Sequence, residues 1–203
     1  MAGQNWVSLL NPDSPRSSGA GTALSTAATA TISPVGGTAA FADVAQVNPE
    51  GQYLGWKPGL VIRVTARGFV TTTATSTTAT FLLAARVGNT GSTYVTLATS
   101  AGIATSTTVL TGAQIRLEAL IRCTACATSG NTVSTQGEMS ITTTAAQTIG
   151  TATAQVVVGL PNASGETAAA VDTTQIQGIS MRATLAGANA TIQLTEWLVE
   201  ALN

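Results

Sequence analysis

Apolar and polar residues alternate along much of this chain with a period of two. In "GLVIRVTARGFV", Leu60, Ile62, Val64 and Ala66 share one parity, while Arg63, Thr65 and Arg67 take the other. That is the signature of a strand with one buried face. The pattern returns in "AQIRLEALIRC", where Ile115, Leu117, Ala119 and Ile121 oppose Arg116, Glu118 and Arg122. It returns again in "TVSTQGEMSI", with Val133, Thr135, Met139 and Ile141 against Ser134, Gln136, Glu138 and Ser140. Further strands are expected over 81–87, 93–99, 152–160, 175–185 and 191–202. They are punctuated by "GNTGS", "TSGN", "LPNASGE" and "AGAN", runs of turn-forming residues. About eight short strands with such turns predict an all-β, antiparallel β-sandwich or jelly roll.

The alternation is broken in two places. "GFVTTTATSTTATFLL" holds a block of threonine and alanine with no charge. β-Branched threonine favours extended backbone, and its hydroxyl faces water or pairs across strands while its methyl packs. The block reads as a strand end, a loop and a strand start, with Phe69 and Phe81 as flanking core anchors. Near the end, in "ATIQLTEWLVEALN", Ile192 and Leu194 alternate cleanly but Trp197, Val199 and Ala201 lie on the opposite parity. A bulge at Thr195–Glu196 reconciles the two halves; a short terminal helix from Thr195 is the rival.

The first 58 residues have a different texture. They are rich in Gly, Pro, Ser and Ala, with isolated apolar patches at "WVSLL" and "AAFADV". They read as an extended N-terminal arm and lead-in, with the sandwich domain over 59–203. Trp6, beside Val7, Leu9 and Leu10, has no domain of its own in the arm. It either anchors in a pocket of a partner subunit or folds back to cap its own sandwich. Trp56, close to Tyr53, and Trp197 read as core or sheet-end residues.

Composition then limits the chemistry. Charged residues are 8 % of the 203 residues, against about 25 % in an ordinary soluble domain. The net charge is -1, with eight Lys and Arg scattered singly, so no basic stripe is available to follow a phosphate backbone and no nucleic-acid partner is expected. A charge this near zero does little to hold copies apart, which suits a component that packs against neighbours. The apolar runs fall far short of the roughly 20 residues that span a bilayer, and no export signal is read at the N-terminus. The sequons at Asn162 and Asn189 are accordingly read as coincidence.

Histidine is absent, which removes the usual general base, the commonest metal ligand and any Ser-His or Cys-His nucleophile pair. No phosphate-cradling loop is present. Cys123 and Cys126, in "CTAC", lack the two further ligands of a zinc site and the setting of a redox pair. They read as free, buried thiols near a strand end, with a local disulfide as the alternative if a turn intervenes. The nine carboxylates are thinly spread. No catalytic residue, metal or cofactor is expected, although a pocket gathering Glu118, Glu138 and Asp172 would reopen the enzyme reading.

The succession "GLVIRVTARGFVTTTATSTTATFLLAARVGN", "TGAQIRLEALIRCTA", "TVSTQGEMSI" and "TQIQGISMRATLAGANATIQLTEWLVEAL" resembles a recurring pattern of tailed-bacteriophage virion proteins. There, a Gly-led strand, a small-residue loop and a closing strand with Trp and Val-Glu lie in a jelly-roll-like domain. The resemblance covers about Trp56–Asn203. It implies a capsid decoration (cement) protein on the outer surface of the virion, made in the host cytoplasm. Its partners would be the major capsid protein and other copies of itself, as a homotrimer. Trp6, Val7, Leu9, Leu10 and Arg16 of the arm would then contact capsid or neighbour. A tail-fibre or receptor-binding module and a carbohydrate-binding adhesive sandwich are the other readings.

Overall fold

The computed structural model describes residues 7–8, 23–33, 45–47, 56–73, 75–87, 93–105, 109–143, 148–149, 152–153, 155–161, 166–175 and 177–202. They form β1 (Val7–Ser8), β2 (Thr29–Thr31), β3 (Ala45–Val47), β4 (Val61–Thr72), β5 (Thr78–Val87), β6 (Tyr94–Thr99), β7 (Ile103–Ala104) and β8 (Leu110–Cys123). There follow β9 (Val133–Thr142), β10 (Thr148–Ile149), β11 (Ala152–Thr153), β12 (Gln155–Leu160), β13 (Thr167–Ala169), β14 (Gln177–Leu185) and β15 (Ala190–Ala201). Eight of these have six residues or more, as the spacing of apolar runs predicts.

One sheet runs β1-β15-β4-β8-β9-β12, with β13 also on β9, and the other runs β2-β14-β5-β6, with β3 on β14 and β7 on β5. All pairings are antiparallel, including the separate β10–β11 ribbon. The sheets meet through the residues of inward parity. Ile62 and Val64 of β4, Leu117 and Ile121 of β8, Met139 of β9 and Trp197 and Val199 of β15 pack with Phe81 and Leu83 of β5 and Ile179 and Met181 of β14, all fully buried. The chain is an all-β sandwich, and the Thr-rich block forms the β4–β5 connection as its composition predicts.

Two bulges set the shape of the larger sheet. Across β15 and β4 the register passes from Leu194↔Gly68 to Glu196↔Arg67, so Thr195 is the extra residue. The parity change at Thr195–Glu196 is therefore a bulge in a continuous strand, and Trp197 returns to the core. Across β4 and β8 it passes from Val70↔Ala113 to Thr72↔Leu110. The surplus residue falls on β8, where Gly112 takes a φ of 70°, a backbone region that only glycine enters cheaply. Ahead of β4, Lys57-Pro58-Gly59-Leu60 closes with Leu60 N–H donating to Lys57 O at 3.0 Å and Gly59 at φ 91°. Proline second and a positive-φ glycine third are what a type II turn requires, and Lys57 projects exposed from it.

Four of the buried hydroxyls have a specific use. Where ladders end, they take the place of a missing backbone partner. Ser100 Oγ accepts from Phe81 N at 3.0 Å, Thr105 Oγ1 from Thr77 N at 2.9 Å and Thr72 Oγ1 from Leu110 N at 3.1 Å, beside the β8 bulge. Thr132 Oγ1 accepts from Val171 N at 2.8 Å and donates to Val171 O at 2.5 Å, tying the chain after β13 to the start of β9. Thr132→Val keeps the shape but strands the Val171 N–H in the interior. Such a loss costs about 2 kcal/mol and should lower the melting temperature by roughly 4–8 °C, at about 2–4 °C per kcal/mol for a chain of this size. A thermal melt unchanged by the substitution would show that the hydroxyl is dispensable.

The boundary expected at residue 58 is not where the sandwich begins. Leu24 is buried and exchanges backbone hydrogen bonds with Ile192 at 2.9 and 3.0 Å, and β2 then pairs with β14 through Arg182↔Thr31. Ile32 is fully buried. Residues 23–33 thus run from the edge of one sheet to the edge of the other as a strap. β1 lies on the same β15 edge, Val7 opposite Ala201.

Candidate functional site

The outer face of the larger sheet carries the charged residues in rows that cross its strands. Nearest the Lys57 turn lie Val61, Arg122, Ser134 and Ala168, with Arg122 paired to Glu166 at 2.7 Å; the row after it contains Glu200, Arg63, Leu120 and Gln136. Arg63 Nε and Nη2 donate to Glu200 Oε2 at 3.0 and 2.7 Å. The next row is Leu198, Thr65, Glu118, Glu138 and Gly159, and the one after it Glu196, Arg67, Arg116, Ser140 and Val157. Beyond the bulge comes Gln193, Phe69, Gln114, Thr142 and Gln155.

These rows bring like charges face to face. Arg67 is directly opposite Arg116, and Glu118 directly opposite Glu138, arrangements that destabilise an antiparallel pair by themselves. Two ion pairs offset the arginine contact, one with the residue directly opposite Arg67 on β15 and one along β8 itself. Arg67 lies 3.5 Å from Glu196 and Arg116 lies 3.8 Å from Glu118. The two arginine side chains are 63 % and 67 % exposed, so each pair contributes no more than about 1 kcal/mol.

Between the arginine row and the amide row the surface opens into a groove of about 710 Å³, with Phe69, Gln114, Thr142, Gln155, Arg67 and Arg116 among its walls. Phe69 is not a core anchor. Its parity is that of Arg63 and Arg67, so it stands on the outer face, half-buried. Trp56, Phe81 and Trp197 are fully buried. Val7 lies in β1, whereas Trp6, Leu9, Leu10 and Arg16 fall outside the described residues. The outward turn of Phe69 is visible in the alternation once counting continues from Leu60 through Gly68. The row of three glutamines is not, because its members come from three strands distant in sequence.

The carboxylates singled out as a possible catalytic set do not converge. Glu118 and Glu138 are exposed neighbours, and Asp172 serves its own turn, accepting from Thr174 N at 3.0 Å and Thr174 Oγ1 at 2.6 Å. Among the described residues no three His, Cys, Asp or Glu side chains are placed to hold a metal ion. No disulfide joins Cys123, which is buried, to Cys126, which is half-buried rather than buried as expected; Cys126 Sγ donates to Trp56 O at 3.2 Å. No helix among the described residues is long and apolar enough to cross a membrane.

No protein-family model and no curated protein matches the chain. Among solved structures, lectin I from Ulex europaeus, in complex with the methyl glycoside of alpha-L-fucose, is 12 % identical at a TM-score of 0.32. The match covers 93 % of this chain and 98 % of the lectin. The CBM2 module of the evolved Dit of Lactobacillus casei BL23 phage J-1 is 7 % identical at a TM-score of 0.32, over 98 % of this chain and 96 % of the module. At TM-scores this low, neither neighbour bears on what this chain binds.

Proposed function

We propose that this chain is a non-enzymatic structural protein of a phage particle, bound to the outer capsid surface as a homotrimer and cementing neighbouring capsid subunits. The observation that carries this reading is the placement of β1. A strand of two residues lies on the β15 edge of the larger sheet, and strand addition at an edge is a mode of joining that works equally within a chain and between chains. Contacts this small become firm when symmetry repeats them over a shell. The charge distribution is consistent with it. On the face described above, arginines and glutamates pair with one another, leaving a nearly neutral surface that does not repel its copies. The trimer, the shell and the capsid partner rest on the sequence resemblance.

Two measurements test the reading. Mass spectrometry of purified particles should count this chain in simple ratio to the major capsid protein; a handful of copies per particle would point to the tail, and absence would remove it from the virion. Deleting Met1–Pro15 removes β1 and should reduce retention on particles in a binding assay by tenfold or more, about 1.4 kcal/mol. Undiminished retention would show that the arm is not the clamp.

A further inference from the structure

We propose that the groove on the outer face of the larger sheet is a binding site for an acidic saccharide chain. This goes beyond the cementing role and does not depend on it. The floor is a row of alternating chemistry: Phe69 of β4 is directly opposite Gln114 of β8, which faces Thr142 of β9, which faces Gln155 of β12. At about 4.8 Å per strand, the row from β4 to β12 extends roughly 14 Å, room for several linked sugar rings. A sugar ring presents an apolar C–H face and a rim of hydroxyls. Phe69 offers a flat apolar surface for the first, and the glutamine amides, each able to donate and accept, match the second. One end of the groove lies in the middle of the sheet, where β4 and β8 are paired on both sides. At that end no strand edge is offered to a peptide backbone; the other end reaches Gln155 of β12, the last strand of the sheet, and an acidic-peptide control tests that end.

The preference for acid comes from the adjacent row. Arg67 and Arg116 face one another across β4 and β8 and both line the groove. Each guanidinium is largely exposed and has a single carboxylate partner among the described residues, so both keep donors to turn to an anion in the groove. Their carboxylate partners are 3.5 and 3.8 Å away and themselves 39 % and 49 % exposed, so a ligand carboxylate can displace them at little cost. An arginine fork holds such a group through two parallel hydrogen bonds. Among the described residues, Arg182 makes an instructive contrast: its guanidinium carbon lies 4.1 Å from the centre of the Tyr94 ring, on the other sheet.

Isothermal titration of the full chain with an oligogalacturonate, with maltohexaose as the neutral counterpart and a short poly-glutamate as the acidic peptide, tests the assignment. The oligogalacturonate should bind, maltohexaose at least tenfold more weakly, and poly-glutamate not at all. Phe69→Ala should weaken oligogalacturonate binding about tenfold or more, and Arg116→Gln should remove the preference for acid over neutral sugar, each checked for an unaltered melting temperature. Should Phe69→Ala fold poorly, the highly exposed Arg116 carries the test alone. Absence of binding to the intact chain, equal binding by the variants, or tighter binding of poly-glutamate would each overturn the proposal, the last by marking the groove as a site for a protein.

Discussion

Gly68→Val is expected to abolish or severely weaken folding. A β-carbon at Gly68 would fall 2.2 Å from Gln193 O and 2.8 Å from Leu194 Cα. Both are backbone atoms of β15, held by the β4 ladder on either side of the bulge, so neither can swing away as a side-chain tip would. Relief requires β4 and β15 to part in the middle of their ladder. A loss of about 4 kcal/mol or more follows, or roughly 8–16 °C in melting temperature. Gly59→Ala supplies the comparison. Gly59 has a positive φ of 91° but nothing within 4 Å of an added β-carbon, so its cost is conformational strain alone, about 1–2 kcal/mol. The two melts measured together separate collision from strain. Equal shifts would show that the β4–β15 approach is not the constraint described.

The second large effect comes from deletions in β15. Without Thr195 the strand would alternate regularly, since Glu196 would follow Leu194 outward and Trp197, Val199 and Ala201 would keep their inward parity. Deleting Thr195 should therefore be tolerated, with a shift of only a few degrees. Deleting Leu198 reverses the parity of all that follows, turning Val199 outward and driving Glu200 into the core, away from Arg63. A one-residue slip moves a whole set of side chains to the other face, and an unpaired carboxylate in an apolar interior is costly. At least about 4 kcal/mol should be lost, seen as insoluble protein or a collapsed melt. If the deletion of Thr195 were the more damaging of the two, the bulge would have to be an essential part of the fold.

β4 and β8 are legible in the sequence because charged or hydroxyl residues alternate with buried apolar ones along them. Arg63, Thr65 and Arg67 define β4 this way, and Arg116, Glu118 and Arg122 define β8. The bulge is legible too, since only an extra residue lets Leu194 and Trp197 both face inward. The strap at 23–33 is hidden by its own chemistry. Leu24 and Ile32 are single apolar residues among Ser, Thr and Ala, and their burial comes from β14 and β15, about 150 residues later. The groove is hidden for a similar reason: Phe69, Gln114, Thr142 and Gln155 fall into one row only when four strands align. A large aromatic is read as core by default because burial is its usual fate, yet parity alone sends Phe69 outward.

The turn ahead of β4 has a practical consequence. Lys57 is the one lysine in the sequence, and it stands exposed before the strand. An acylating reagent thus finds a single side-chain amine on the whole chain, and any dye or cross-linker attached there has a known address. From Val61 to Phe69 the strand covers about 26 Å, so the tag sits at the far end of the sheet from the groove and leaves it open.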